Sequence, residues 1–150
     1  MQIYLVQHGI SNPKDQDPEQ GLSPEGEKDA RRIAETAGNY QIPVQGILHS
    51  GKKRAEQTAR IMSETLNPEI SVETAPGLGP LDDVQAWKEK LHELDRFMLV
   101  GHLPFMQRLA SLLVAGDQEN RVIKFQNAGI VCLEQEQGWH VKWALMPDID

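Results

Sequence analysis

A three-layer α/β/α sandwich around a mainly parallel, mixed central sheet is the fold this sequence predicts. Three observations lead there. Short apolar strands alternate with amphipathic helices along most of the chain, the signature of stacked βα units. The runs Ile3-Tyr4-Leu5-Val6 and Phe97-Met98-Leu99-Val100 are continuously apolar, as strands buried in a parallel sheet are. Near the C-terminus, strand-like segments follow one another without a helix between them, which calls for at least one antiparallel strand.

Each element has its own local reason. Ile3–Val6 is a short, partly β-branched first strand, and a polar loop with Asn12-Pro13 and Asp17-Pro18 follows it. Ser23-Pro24 opens the first helix, serine suiting the N-cap and proline the first turn. Ala30, Ile33, Ala34 and Ala37 form its apolar face, and Gly38 ends it. Gly46–His49 is a second strand and Lys53–Leu66 a second helix, which Asn67-Pro68 stops. Ser71–Thr74 is the third strand. A helix capped by Asp82 or Asp83 and reaching about Leu94 turns Val84, Trp87, Leu91 and Leu94 inward. Phe97–Val100 is the central strand, and Pro104 begins the fourth helix. Val122–Phe125, Gly129–Leu133 and His140–Leu145 are the terminal β segments.

The 150 residues suit one domain, 1–150, with a sizeable core. Fifteen basic against 22 acidic residues give a net charge of −7. That disfavours nucleic acid and anionic membrane as partners, since both need a basic face. No apolar run has the length of a membrane helix, and the N-terminus has no basic lead or cleavage site, so a cytoplasmic monomer is expected. Cys132 is the only cysteine, so an intramolecular disulfide and a cysteine-based zinc site are excluded. His49, His92 and His140 lack ligand spacing, so no metal and no cofactor is assigned.

Ligands of open α/β sheets bind beyond the carboxyl ends of the strands. The first strand runs into Gln7-His8-Gly9, the second into His49-Ser50-Gly51 and the central one into Gly101-His102. A lone strand-end histidine is more often structural than chemical; two on parallel strands shift that balance. Lys52, Lys53 and Arg54 add a basic patch where the second helix begins. Helix-end amides and a guanidinium fork there suit an anion such as phosphate.

Four segments resemble the histidine phosphatase superfamily, which includes the phosphoglycerate mutases. Gln7-His8-Gly9 is similar to the family's Arg-His-Gly. Leu22-Ser-Pro-Glu-Gly26 resembles its Leu-Thr-x-x-Gly. Ser50-Gly-Lys-Lys-Arg54-Ala-Glu-Gln-Thr58 is similar to Ser-x-x-x-Arg-Ala-x-Gln-Thr, and Val100-Gly-His-Leu-Pro104 to Val-Gly-His-x-Pro. The matches run in order from residue 1 to about 113. The short chain, with no large insertion before the second histidine, resembles the SixA-type phosphohistidine phosphatases. The resemblance implies a phosphoglycerate mutase-like fold and a metal-independent phosphatase. In it, His8 is the nucleophile that becomes phosphorylated, while Arg54 and His102 hold the phosphoryl oxygens. Gln7 would bind phosphate beside them.

Two departures bear on mechanism. Gln7 replaces the family's arginine and brings an amide in place of a charged fork. The family's carboxylate general acid has no clear counterpart: Asp82 and Asp83 are candidates that serve equally as helix caps, and Glu25 and Asp15 are weaker ones. A phosphohistidine needs less help from an acid than an alkyl ester does, because imidazole leaves more readily than alkoxide. The expected substrate is therefore phosphohistidine in a protein. The alternatives are a small phosphate ester or, because of Gln7, phosphate or phosphoprotein binding without turnover.

Overall fold

The computed structural model describes all 150 residues. Six strands form one sheet: β1 (Gln2–Gln7), β2 (Gly46–His49), β3 (Val72–Thr74), β4 (Phe97–Gly101), β5 (Ile130–Gln135) and β6 (Trp139–Leu145). Their spatial order is β3-β2-β4-β1-β5-β6. The four on the β3 side are parallel, and β5 and β6 add antiparallel pairs at the other edge. β1 and β4 are neighbours with Gln7 opposite Gly101, so the chain leaves both strands at the same level of the sheet.

The helices are α1 (Pro24–Asn39), α2 (Lys53–Leu66), α3 (Gln85–Lys90) and α4 (Phe105–Ala115), with a 3-10 turn over Leu91–Glu93. Alternation along the strands divides the core into two layers. Tyr4, Val6, Met98, Val100, Ile130 and Cys132 pack with Ile33 and Ala37 of α1 and with Ala59 and Met62 of α2. Ile3, Leu5, Leu99, Val131 and Leu133 pack with Trp87 of α3 and with Phe105 and Leu109 of α4. Helices therefore cover both faces of the sheet, the expected three layers.

Two expectations need correction. Val122–Phe125 is not a strand: it forms no ladder, and buries Phe125 from an irregular loop. The third helix is shorter than its apolar spacing implies. Asp82 and Asp83 lie in turns ahead of it. Its end tightens into the 3-10 turn, and the chain leaves through Arg96 in a left-handed conformation, φ 62°. Elsewhere Ser23 caps α1 as expected, its hydroxyl accepting the Gly26 N–H at 3.0 Å. No helix is long and apolar enough to cross a membrane.

Candidate active site

His8 follows β1 and His102 follows β4, so the parallel pairing of those strands sets their imidazoles side by side. Their ring centroids are 4.9 Å apart, close enough for both to reach one phosphoryl group. Arg54, in the first turn of α2, completes the group: its Nε–H points to His8 Nε2 at 3.4 Å. Residues 8, 54 and 102 are thus brought together from three parts of the chain.

The two imidazoles are held differently. His8 is half-buried, and its Nδ1 lies 2.7 Å from its neighbour's carbonyl, Gly9 O. A carbonyl only accepts, so Nδ1 carries the proton and Nε2 keeps the lone pair that faces Arg54. Burial lowers the pKa of His8; the Gly9 carbonyl opposes this, and Arg54 adds to it. The ring is neutral at pH 7, as a nucleophile must be.

His102 is 2 % exposed, with Nε2 at 2.7 Å from Ser50 Oγ. Ser50 Oγ also accepts the Lys52 N–H at 3.3 Å, and toward His102 Nε2 it donates or accepts according to the imidazole tautomer. His102 Nδ1 is buried without a partner in the protein. Burial, then the fields of His8, Arg54 and Lys52, push the His102 pKa down to about 3. Positive charge at the site comes from the Arg54 guanidinium, with Lys52 nearby.

A frame of hydrogen bonds sets the His8 loop against α2. Gly9 N–H donates to Thr58 Oγ1 at 3.0 Å, and the Thr58 hydroxyl donates to Arg54 O at 2.8 Å. Leu22 N–H donates to Gln57 Oε1 at 2.7 Å. Asn127 Nδ2 donates to His8 O at 2.9 Å. Gly9 and Gly26 let the loop and α1 meet: a Cβ on Gly9 would lie 3.0 Å from Gly26 O, and one on Gly26 would collide with Ile10 O. Ser50, Gln57 and Thr58 stand in the very segment that the sequence singles out for Arg54. Asn127 is visible in no motif, since it reaches the site from a loop 119 residues after His8.

The remaining candidates are placed otherwise. Gln7 shares the strand face of Ile3 and Leu5 by alternation. It sits opposite Gly101, whose bare backbone approaches Met106 and Leu78 O. Gln7 Oε1 is buried and has no hydrogen-bond partner. Asp82 Oδ2 accepts the Gly79 N–H at 2.7 Å, and Asp83 Oδ1 accepts the Gln85 N–H at 2.9 Å. Both aspartates hold local backbone, and no carboxylate hydrogen-bonds to His8, Arg54 or His102. Glu25 and Asp15 are exposed on α1 and on the loop after β1. His49 is buried, its Nδ1 accepting the Gly51 N–H at 3.1 Å, and shapes the turn into α2.

Known proteins are similar to this chain in sequence and fold. Escherichia coli phosphohistidine phosphatase SixA is 27% identical over 123 residues, which cover 78% of this chain and 76% of that protein. An uncharacterised protein of the cyanobacterium Picosynechococcus is 29% identical over 141 residues, covering 89% of this chain and 84% of its own. Among solved structures, the protein histidine phosphatase SixA complexed with tungstate superposes with a TM-score of 0.86 at 23% identity, over 98% of this chain and 97% of that one. A mycobacterial glucosyl-3-phosphoglycerate phosphatase has the same fold at a TM-score of 0.71 and 15% identity, over 95% and 97% of the two chains. Residues 3–82, more than half the chain, match the histidine phosphatase superfamily (branch 1). With three of the four resembling segments inside that match and the fourth supplying the second histidine, the chain belongs to the histidine phosphatase superfamily.

Proposed function

We propose that this phosphatase removes the phosphoryl group from phosphohistidine in a protein, through a phosphohistidine formed on its own His8. The observation that carries the mechanism is the fixed tautomer of His8, with Nδ1–H on Gly9 O and the Nε2 lone pair beside Arg54. In the first step Nε2 forms a bond to phosphorus while the bond from phosphorus to the substrate imidazole breaks. The substrate imidazole departs and takes a proton from solvent water. In the second step water attacks the phosphoryl group on His8, releasing phosphate and restoring the free imidazole. Dividing one displacement into two lowers the barrier for each.

Phosphoryl transfer rests on position and charge, because its transition state is loose. Arg54 offers the charge, and His102, its ring 4.9 Å from that of His8, offers a second polar group to the phosphoryl oxygens. Neither step needs a metal ion for its charge balance.

What surrounds the three residues supports this substrate class. No carboxylate hydrogen-bonds to them, and the two aspartates considered as acids are engaged with backbone. An alkoxide leaving group would need that acid; an imidazole needs it less. The similarity to SixA supports the same reading. The test is a panel, run with chelator present: a phosphohistidine protein against alkyl and aryl phosphate esters. Turnover of the phosphohistidine protein should exceed that of the alkyl esters by orders of magnitude. Faster turnover of an alkyl ester would overturn the substrate assignment. Tight phosphate binding without turnover of anything would show a binding module instead.

A further inference from the structure

A polar groove of about 660 Å³ begins at Arg54 and runs along α2 to Arg60, walled on the other side by the loop after β1. No large hydrophobe lines it. It gathers five cationic side chains, Lys14, Lys52, Lys53, Arg54 and Arg60, against two carboxylates, an excess of three positive charges. The chain as a whole carries −7, so the groove is a local reversal of sign. Arg54 belongs both to the groove and to the phosphoryl site, which makes the two continuous.

We infer that this groove docks an acidic segment flanking the phosphorylated histidine of the substrate protein, an inference that rests on the function proposed above. Its length argues for a polypeptide. Arg54 and Arg60 are six residues apart, about 9 Å along the helix axis, and Lys14 lies on the facing loop. That spread suits several carboxylates along a chain better than the single phosphate of a small ester. Sign argues for acid: an acidic partner is repelled by most of this surface and attracted here, so it approaches with its phosphohistidine toward His8. The internal ion pairs do not close the groove. Lys53 pairs with Glu19 at 3.2 Å and Arg60 with Glu56 at 3.2 Å, both in solvent, where such pairs are weak and exchange readily. Lys14 and Lys52 form no ion pair.

The experiment uses histidine peptides phosphorylated with phosphoramidate, the histidine flanked by Glu in one and by Lys in the other, with phosphoimidazole as a small reference. The native protein should prefer the Glu-flanked peptide by about tenfold in kcat/KM, mostly through KM, and about 0.5 M salt should erase the preference. The double variant Lys14→Glu/Arg60→Glu should lose the preference and keep its turnover of phosphoimidazole, which also shows that it is folded. Equal rates on both peptides, or a preference that survives in the variant, would overturn the docking assignment and leave the phosphohistidine reading standing. Hydrolysis of a bisphosphate ester and of neither peptide would overturn both.

Discussion

The loops after β1 and β4 are alike in sequence and unlike in chemistry. Each ends an apolar parallel strand with histidine, His8 in one and His102 in the other, and each turns toward a helix. Yet His8 is half-buried with a backbone carbonyl on Nδ1, while His102 is sealed in with a serine hydroxyl on Nε2. One ring therefore keeps Nε2 as a lone pair facing Arg54, and the other has Nε2 engaged by Ser50 and Nδ1 buried without a partner. Two copies of one residue are set apart through the partner that each is given.

The largest expected effect separates the two loops directly. His8→Ala should lower phosphatase turnover by about ten-thousandfold or more, since the covalent step disappears with the side chain. Its melting temperature should change little, because the ring is only half-buried and belongs to neither apolar layer of the core. Near-native turnover by a folded His8→Ala protein would place the nucleophile elsewhere.

His102→Gln should cost less, about a hundred- to a thousandfold, as the loss of one transition-state donor does. It should also change the acid stability of the fold. His102 has its pKa depressed to about 3 from an ordinary 6.5, so the unfolded chain binds the extra proton first. That contribution to stability is whole above about pH 6.5 and is lost as pH falls toward about 3. Melting curves across that window should fall less steeply with acid in His102→Gln than in the native protein. Identical slopes would mean that His102 is not held neutral by the fold.

Gln7→Arg sharpens the comparison from the β1 side. A charged fork in place of an amide is worth about 1.5–3 kcal/mol if it reaches phosphate. Expressed only in the transition state, that raises kcat roughly 10- to 150-fold; shared with the bound substrate, it lowers KM instead. The position opposite Gly101, where Gln7 Oε1 is buried, admits a third outcome, a lower melting temperature from crowding. Unchanged kinetics in a stable variant would remove Gln7 from the site.

The same contrast marks what could be read in the sequence. β2 and α2 have the bounds that apolar spacing and Asn67-Pro68 predict, because local pattern and tertiary environment agree there. The meeting of His8, Arg54 and His102 was legible too, since parallel strands end at one edge of a sheet. The long-range contacts that hold the two loops were not. Ser50 reaches His102 across 52 residues and Asn127 reaches His8 O across 119, and no periodicity encodes such contacts. Val122–Phe125 misled for a related reason. Its apolar character reflects the burial of Phe125 against the α4 layer, and burial does not require a strand. Asp82 and Asp83 carried two readings, and the structure uses both for the turns ahead of α3.

The most direct test of the account is the site of the phosphoryl group during turnover. The protein is mixed with a phosphohistidine donor, quenched rapidly in alkali, which preserves phosphohistidine, and mapped by mass spectrometry. The account predicts phosphate on His8, absent from His102 and absent altogether in His8→Ala. Phosphate on His102, or turnover with no phosphorylated histidine at any time, would contradict it.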